Sequence, residues 1–259
     1  MHQPTLARFA PAKINLFLEV LRRRPDGYHE IATVMETIAA GDVVEVTPAG
    51  ELEVATNRPD VPSGEKNVAW KIVRAAEAAL GCALPARIAI TKQIPPGSGL
   101  GAGSSDAVSA LLLVLDLHRR RPPRTVLSEI AASVGSDTAF FLEEGLALCT
   151  GRGELVQRLP QPGARHYVLV LPVSECSTAR VYGALEISGP PREAAELLAA
   201  LASHPGAAGH LDDALIFNRL APAAERAYPD LAASLRAADP ALDVRVTASY
   251  RGSASVAQP

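Results

Sequence analysis

The spacing of apolar residues near the start of the chain has a period of two. Between residues 13 and 20 the even positions are apolar and carry Ile14, Leu16, Leu18 and Val20, which predicts a β-strand. Lys13 and Asn15 then project from one face of that strand, with an ammonium beside an amide. Further strands are predicted at residues 31–38, 43–46 and 87–91, with Gly41 and Asp42 as the break between the first two.

A period of three to four residues takes over in the middle of the chain. Asn67 is the predicted N-cap of a helix that Gly81 ends, and a later helix is predicted to open at Thr125. Strands at 167–171 and 244–247 enclose a region of helices rich in alanine and leucine. Helices and strands are therefore expected in both halves of the chain.

A run of glycines separates the strand at 87–91 from the next helix. Four glycines alternate with small residues between Pro95 and Asp106, and the helical pattern that follows has its apolar face on Val108, Leu111, Leu112 and Leu115. Ser104 or Ser105 is the predicted N-cap. Glycines adopt positive φ readily, so the N–H groups of this run and the helix N-terminus could bind a phosphate group together. A strand-to-helix turn without a ligand is the alternative.

Two common nucleotide-binding motifs fit this run poorly. No lysine precedes the serine pair, so the run is not a Walker A motif. Gly97, Gly99 and Ala102 match the small residues of the dinucleotide pattern, but that pattern needs an acid at the tip of a second strand, and Asp116 falls inside the predicted helix. The partial match to the dinucleotide pattern leaves a nicotinamide-dependent oxidoreductase as an alternative function.

Lys13 and Asp137 are the candidates for chemistry beside such a site. Asp137 directly follows Gly135 and Ser136, where a helical pattern breaks, and it precedes the apolar segment 138–142. Each residue also has an ordinary structural interpretation, because a strand lysine usually faces solvent and an aspartate before a helical turn usually caps it. The two residues become informative only in combination with the glycine run.

Length, composition and charge limit the number of domains and the kinds of partner that this sequence predicts. The 259 residues, 48% of them hydrophobic, can form one large core or two smaller ones. We expect two domains, residues 1–158 and 159–259, divided near Pro160. The net charge of −3 predicts no attraction to nucleic acid or to membranes. The arginine clusters at 22–24 and 119–124 are expected to be solvated surfaces.

The cysteines and the apolar runs indicate a compartment. Cys82, Cys149 and Cys176 are odd in number and lack CxxC spacing, which favours buried thiols in a reducing cytoplasm over disulfides or a zinc site. No signal-peptide pattern or membrane-length apolar run is present in the sequence. The sequence therefore predicts a soluble cytoplasmic protein.

Several motifs in order along the chain resemble the GHMP kinase superfamily, which is named after galactokinase, homoserine kinase, mevalonate kinase and phosphomevalonate kinase. The superfamily's ATP loop has the form Pro-x-x-x-Gly-Leu-Gly followed by serines, and this chain has Pro95 to Gly101 and then a serine pair. Within the superfamily, the chain is most similar to the kinases that act on a cytidine-diphosphate-linked methylerythritol. That similarity lies in the stretches 11–16, 24–29, 135–141 and 151–154.

The resemblance implies a fold and a reaction. The fold is α+β with two domains: an N-terminal domain like the second domain of ribosomal protein S5 and a ferredoxin-like C-terminal domain. The reaction transfers the γ-phosphoryl group of ATP, with Mg²⁺, to the 2-hydroxyl of the methylerythritol unit, a step of non-mevalonate isoprenoid synthesis. A monomer or a weak homodimer is expected, with small molecules as its partners.

The resemblance also implies the site residues. Asp137 would accept the hydroxyl proton, and Lys13 would keep Asp137 ionised and stabilise the charge on the transferring group. Ser104 and Ser105 are the implied residues near Mg²⁺. The implied substrate-binding residues are Asn15, Tyr28, His29, Thr178 and Tyr182. The implied ATP-binding residues are Pro95, Pro96, Gly97, Ser98, Gly99, Leu100, Gly101, Ala102, Gly103, Ser104 and Ser105.

The end of the chain departs from the superfamily pattern. A third glycine motif, roughly Thr-Gly-Ser-Gly, is expected after the strand at 244–247, but the chain continues with Ala248 to Ala254 and has its glycine displaced to Gly252. The C-terminal elements are therefore expected to be truncated or divergent. This leaves open a catalytically impaired nucleotide-binding homologue, or another small-molecule kinase of the superfamily.

Overall fold

The computed structural model describes residues 5–160, 163, 165–171, 176–203, 211–229, 243–248 and 256–257. Within these ranges the chain forms strands and helices in both halves. The strands are β1 (Leu6–Arg23), β2 (His29–Pro48), β3 (Glu53–Thr56), β4 (Ala86–Thr91), β5 (Leu146–Gly151), β6 (Leu155–Arg158), β7 (His166–Leu171), β8 (Phe217–Asn218), β9 (Asp243–Ala248) and β10 (Val256–Ala257). The helices are α1 (Val68–Leu80), α2 (Ala102–Leu117), α3 (Arg124–Val134), α4 (Thr178–Gly183), α5 (Ala195–Ser203) and α6 (Ala221–Ala227).

The long strand β2 organises the main sheet. It pairs antiparallel with β1 along most of its length, its first part also pairs with β5, and its last part pairs with β4. β3 lies beside β4, and the β5–β6 hairpin extends the other branch. One strand therefore connects the element that carries Lys13 with the strand that leads into the glycine run.

The predicted break at Gly41 and Asp42 is wrong, because β2 continues through both residues. A Cβ built at Gly41 would lie 2.2 Å from the carbonyl oxygen of Ala10. The β1–β2 register shifts next to this contact, between Pro11 and Ala12. Gly41 is thus needed for close approach of two strands rather than for a turn.

One face of the sheet is covered by α1, α2 and α3. Buried residues of these helices form a single core with β2 and β4. The side chain of Asn67 accepts a hydrogen bond from the N–H of Ala69 at 2.8 Å, and Gly81 ends α1 with φ of +63°, so both predicted signals for α1 are confirmed. Helix α2 is buried on more than the predicted apolar face, since Ala107, Ala110 and Val114 are also inaccessible.

Two strands from the second half of the chain pair with β1 in the first half. β7 and β9 form a separate antiparallel pair, while β8 and β10 both pair with β1. The strands predicted at 167–171 and 244–247 are confirmed within β7 and β9. Residues 249–254 of the expected third glycine motif lie outside the described residues. Within the described ranges, no helix is long and apolar enough to cross a membrane.

Glu19 ties the second half of the chain to β1. Its carboxylate is inaccessible to solvent and accepts two hydrogen bonds of 2.7 Å from the Arg219 guanidinium. The backbone N–H groups of Val20 and Arg192 donate to it as well. Burial disfavours the charged form of Glu19, but these hydrogen bonds outweigh it and hold the pKa of Glu19 below its usual range.

We expect Glu19→Gln to lower the free energy of unfolding by about 2 kcal/mol or more, because it leaves a charged Arg219 facing an amide in a buried position. Denaturant unfolding at neutral pH measures the change. Glu53→Gln is the matched control, since Glu53 also binds an arginine, Arg87, but on the exposed surface. Equal destabilisation by the two variants would contradict the role assigned to Glu19.

Candidate active site

The glycine run forms a loop with three backbone positions that favour glycine. Gly97, Gly99 and Gly101 have φ of +69°, +74° and +68°, a region that residues with a Cβ seldom adopt. Gly103 lies inside α2. The predicted conformational role therefore applies to three of the four glycines.

The helix after this loop begins earlier than predicted. Gly101 is the N-cap of α2, and the N–H groups of Ser104 and Ser105 donate to its carbonyl oxygen at 3.0 and 3.1 Å. The prediction that Ser104 or Ser105 caps the helix is thus wrong, because the left-handed Gly101 already turns the chain into it. The N–H groups of Ala102 and Gly103 are then the ones at the helix end, where an anion would bind.

The loop is docked on β1 at Lys13. The backbone N–H of Lys13 donates to the carbonyl oxygen of Leu100 at 2.9 Å. A Cβ built at Gly101 would lie 2.9 Å from Cγ of Lys13 and 3.0 Å from Cζ of Phe141. The glycine loop and the candidate catalytic lysine are therefore in direct contact.

Lys13 and Asp137 form an ion pair beside this loop. Nζ of Lys13 lies 3.3 Å from Oδ2 of Asp137, and the side chain of Lys13 is 7% exposed against 32% for Asp137. The Lys13 ammonium also donates to Oδ1 of Asn15 at 2.8 Å, and the Asn15 amide donates to the hydroxyl of Thr33. The predicted shared face of Lys13 and Asn15 is confirmed, and the carboxylate that faces the cavity is the more accessible partner.

Asp137 does not cap a helix. The short 3₁₀ helix after it spans Phe140–Leu142, its N-cap is Ala139, and no side chain caps it. Phe140 and Phe141 are buried in the main core, which anchors the segment that follows Asp137. The carboxylate is therefore available to Lys13 and to a ligand.

A group of aromatic side chains lines the same cavity as the ion pair. His29 and Tyr182 stack with their ring centroids 4.9 Å apart, and the Tyr28 ring lies under the guanidinium of Arg152 at 4.6 Å. Thr178 lies on α4 one turn before Tyr182. Residues far apart in sequence thus form a surface that can stack against a flat ring.

Two side chains of this aromatic group, His29 and Tyr182, have shifted pKa values. Burial, with a smaller effect from Arg23, lowers the pKa of His29, so its imidazole is neutral at pH 7 and can both donate and accept a hydrogen bond. Burial raises the pKa of Tyr182 to about 12, and the negative charge of Asp137 adds to the rise. The aromatic group and the ion pair line the same cavity.

A buried charge cluster at the base of the glycine loop was not anticipated from the sequence. The ammonium of Lys92 binds the carboxylates of Asp42 and Asp106, the latter at 2.7 Å. Asp42 also accepts hydrogen bonds from the N–H groups of Gln93 and Ile94, where the chain enters the loop. Asp106 belongs to the first turns of α2, so the cluster holds both ends of the loop against β2.

With both carboxylates ionised, the cluster carries one more negative than positive charge. Burial raises the pKa of Asp106 to about 7, Lys92 opposes this rise and Asp42 adds to it. Asp42 has two backbone donors in addition to Lys92, and Asp106 has an oxygen without a hydrogen-bond partner among the described residues. The proton of the cluster therefore resides on Asp106 when it is taken up.

These groups line one cavity of about 1330 Å³, which exceeds the usual volume for a single ligand. Ser105 is the one predicted site residue that does not line it: its hydroxyl is buried and has no hydrogen-bond partner among the described residues. The predicted residues that line the cavity are Lys13, Asn15, Tyr28, His29, Pro95, Pro96, Gly97, Ser98, Gly99, Leu100, Gly101, Ala102, Gly103, Ser104, Asp137, Thr178 and Tyr182.

Sequence reasoning missed several residues at this cavity. Lys92, Asp106 and Arg152 line it, as do Lys66 and Asn67 at the start of α1. Two of them carried a local signal: Asp106 is an acid just after the serine pair, and Arg152 stands between two glycines. Asn67 was recognised only as a helix cap, and its position at the cavity depends on the packing of α1 against the sheet.

Comparison with known proteins shows the family of this chain. Residues 67–145 match the family model of the GHMP kinases N terminal domain. Over 229 residues, 88% of this chain, the sequence is 37% identical to a 4-diphosphocytidyl-2-C-methyl-D-erythritol kinase of Pelotomaculum thermopropionicum, with 79% of that relative covered. This chain belongs to the 4-diphosphocytidyl-2-C-methyl-D-erythritol kinase family.

Other members of this kinase family match over different lengths. The relative from Carboxydothermus hydrogenoformans is 41% identical over 174 residues, which is 67% of this chain but 60% of that relative. The chain thus matches about three fifths of the length of that kinase. A crystal structure of a 4-(cytidine 5'-diphospho)-2C-methyl-D-erythritol kinase superposes with a TM-score of 0.69 and 29% identity, covering 94% of this chain and 89% of the other.

Family membership supports the GHMP kinase fold with its mixture of helices and strands. The family-model match contains the glycine loop and Asp137. The oxidoreductase hypothesis loses its only motif, because Asp116 lies within α2 and pairs with Arg121 on the surface. The fold of this kinase family therefore accounts for the loop that the dinucleotide pattern matched only in part.

We expect Gly101→Ala to destabilise the protein and to impair nucleotide binding, because its φ is positive and the added Cβ would meet both Lys13 and Phe141. Thermal unfolding and nucleotide titration measure the two effects. Gly103→Ala is the matched control, since it lies in a helix with nothing within 4 Å of the added Cβ and should keep or raise the melting temperature. A Gly101→Ala protein as stable as Gly103→Ala would contradict this account of the loop.

Proposed function

We propose that this protein is a small-molecule kinase that transfers the γ-phosphoryl group of ATP to the 2-hydroxyl of 4-diphosphocytidyl-2-C-methyl-D-erythritol, in the non-mevalonate route to isoprenoids. The observation that carries the proposal is the ion pair of Lys13 and Asp137, 3.3 Å long, at the foot of the glycine loop. Family membership supports the choice of acceptor. The size of the cavity, about 1330 Å³, is compatible with two ligands side by side.

The glycine loop is the proposed site for the triphosphate of ATP. Its positive-φ glycines and the N-terminus of the 16-residue helix α2 supply backbone N–H groups and a positive dipole end. The missing Cβ of Gly101 keeps the loop close to Lys13. Residues 95–105 therefore fit an anionic ligand without a lysine of the Walker type.

Mg²⁺ is the proposed metal, with Ser104 and Ser105 near it. Within the described residues, no group of three or more histidine, cysteine, aspartate or glutamate side chains could hold a metal ion. Mg²⁺ at a nucleotide site takes most of its ligands from phosphates and water, so one or two protein oxygens suffice. The Ser104 hydroxyl is the better placed of the two, since Ser104 lines the cavity and Ser105 does not.

The proposed chemistry rests on the ion pair. The accessible carboxylate of Asp137 accepts the proton of the attacking hydroxyl, and the adjacent Lys13 ammonium is its ion-pair partner. The same ammonium stabilises negative charge on the group in transfer. ATP supplies the phosphoryl group, and the protein contributes mainly position and charge, as phosphoryl transfer requires.

The aromatic group is the proposed site for the cytosine ring. Tyr28 and Tyr182 offer ring faces for stacking, and the neutral imidazole of His29 can hydrogen-bond the base through a donor and an acceptor. Asn15 and Thr178 are proposed to contact the acceptor as well. In this proposal the base binds at one end of the cavity, and the reacting hydroxyl lies beside Asp137.

The finer domain description belongs to the same proposal. We assign residues 1–158 to an N-terminal domain like the second domain of ribosomal protein S5, and residues 159–259 to a ferredoxin-like domain. The separate pair of β7 and β9 supports a second unit. Strand β8 of the second domain pairs with β1 of the first domain, so the two domains share a sheet.

Acceptor specificity tests the proposal directly. ADP release should be observed with ATP, Mg²⁺ and the cytidine-linked methylerythritol, and not with homoserine, mevalonate or galactose, because only the first carries a base for the aromatic group. A coupled enzymatic assay measures the rates. Turnover with one of the other acceptors alone would overturn the substrate assignment, and nucleotide binding without any turnover would indicate the catalytically impaired homologue.

We expect Asp137→Asn and Lys13→Ala each to reduce kcat by about 100-fold or more, since each removes part of the proton transfer or the charge stabilisation. Calorimetric ATP titration should show that the Asp137→Asn protein still binds nucleotide. Asp116→Asn, a carboxylate change on the exposed side of α2, is the matched control and should leave kcat unchanged. Near-normal turnover of both site variants would refute the proposed chemistry.

A further inference from the structure

Arg152 lies in a part of the cavity to which the proposed reaction assigns no role. It sits in the turn of the β5–β6 hairpin, between Gly151 and Gly153, and its side chain is partly exposed to the cavity. Its backbone N–H donates to the carboxylate of Glu154 at 2.5 Å. The turn is therefore closed by a hydrogen bond of its own, and it presents a cation to the cavity.

This turn lies between the two sites proposed for the ends of the acceptor, namely the aromatic group for the base and Asp137 for the hydroxyl. On one side the guanidinium of Arg152 covers the Tyr28 ring at 4.6 Å. On the other side Gly153 packs against the residue before Asp137, because a Cβ built at Gly153 would lie 3.3 Å from the carbonyl oxygen of Ser136. The turn that carries Arg152 thus contacts both the aromatic group and the segment that leads into Asp137.

The hydrogen-bonding and ionic partners of Arg152 hold its guanidinium loosely. The Glu154 carboxylate lies 3.8 Å from Nε, and the carbonyl oxygen of Ala132 is 3.4 Å from a terminal nitrogen. The charges of Lys13 and Lys92, by contrast, are met by one and by two carboxylates at 3.3 Å or less. Arg152 therefore retains donors for a ligand more readily than Lys13 or Lys92.

A second arginine, Arg23, also lines the cavity. It is paired with His29 in the β1–β2 register, so it lies at the end proposed for the base. Arg152 is the arginine whose own turn also contacts the Asp137 segment. A ligand that joins a base to a reactive alcohol through a diphosphate would pass Arg152 on the way.

We propose that Arg152 binds the diphosphate of the acceptor and thereby sets a preference for a nucleoside diphosphate conjugate over a nucleoside. This inference rests on the proposed function and adds a specificity residue to it. A guanidinium can bind two phosphate oxygens at once and stack on a tyrosine ring with its flat face. The contact with Tyr28 then orients the guanidinium before the ligand arrives.

The test compares the affinities of CDP and cytidine by calorimetry. The wild type should bind CDP at least about tenfold more tightly than cytidine, and Arg152→Gln should reduce that ratio by about tenfold, because a charged hydrogen bond to phosphate is lost. Arg152→Lys should retain part of the ratio. Arg158→Gln, an exposed arginine on β6 outside the cavity, is the matched control and should leave the ratio unchanged.

The ratio of the CDP affinity to the cytidine affinity distinguishes phosphate binding by Arg152 from a purely structural role. If Arg152 only supported the Tyr28 ring, both affinities would fall together and the ratio would be preserved, which would overturn the inference. Steady-state kinetics provide a second measurement: Arg152→Gln should raise KM for the cytidine-linked acceptor by about tenfold or more while KM for ATP stays within about twofold. An equal rise of both KM values would also overturn the inference.

The two proposals can fail separately. If the wild type phosphorylates the cytidine-linked acceptor but Arg152→Gln keeps the CDP preference, the inference about Arg152 is wrong and the kinase assignment stands. If the wild type does not turn over this acceptor, the kinase assignment falls. In that case the CDP-to-cytidine ratio in the two proteins still decides whether Arg152 binds a diphosphate.

Discussion

The buried ammonium of Lys13 is the constraint on which the site depends. A charge that is 7% exposed must be paired and hydrogen-bonded to persist, and Lys13 obtains its partners from three segments. Asn15 on the same strand accepts its hydrogen bond, Asp137 supplies the opposite charge, and the glycine loop contacts its stem at Gly101. Satisfying one ammonium thus brings together the groups that the proposed phosphoryl transfer needs.

A second buried charge cluster fixes the same loop from its other side. Asp42, Lys92 and Asp106 join β2, the end of β4 and the start of α2. Two carboxylates around one lysine would be costly in an interior without further donors, and the backbone N–H groups of the loop entrance provide them. The loop is therefore held at both ends and in the middle before any ligand binds, which is the preorganisation that electrostatic catalysis requires.

The extent to which the sequence predicts this structure depends on the range of the interactions. Local signals are reliable: the shared face of Lys13 and Asn15 and the cap at Asn67 follow from neighbours within four residues. The failures at Gly41 and at the start of α2 have one cause, since a glycine serves close packing or a positive φ as readily as a turn. The Asp42–Lys92 contact joins residues 50 positions apart, so no local sequence pattern predicts it.

The β5–β6 turn illustrates how such distant positions become coupled. The backbone requirements of this tight turn extend to its neighbours. A Cβ at Gly151 would collide with the Glu154 carboxylate at 2.7 Å, and that carboxylate closes the turn through the N–H of Arg152. Since Gly153 packs on Ser136, any shift of the turn would also displace the segment that carries Asp137. The geometry of the ion pair and the position of Arg152 are therefore set by the same few backbone contacts.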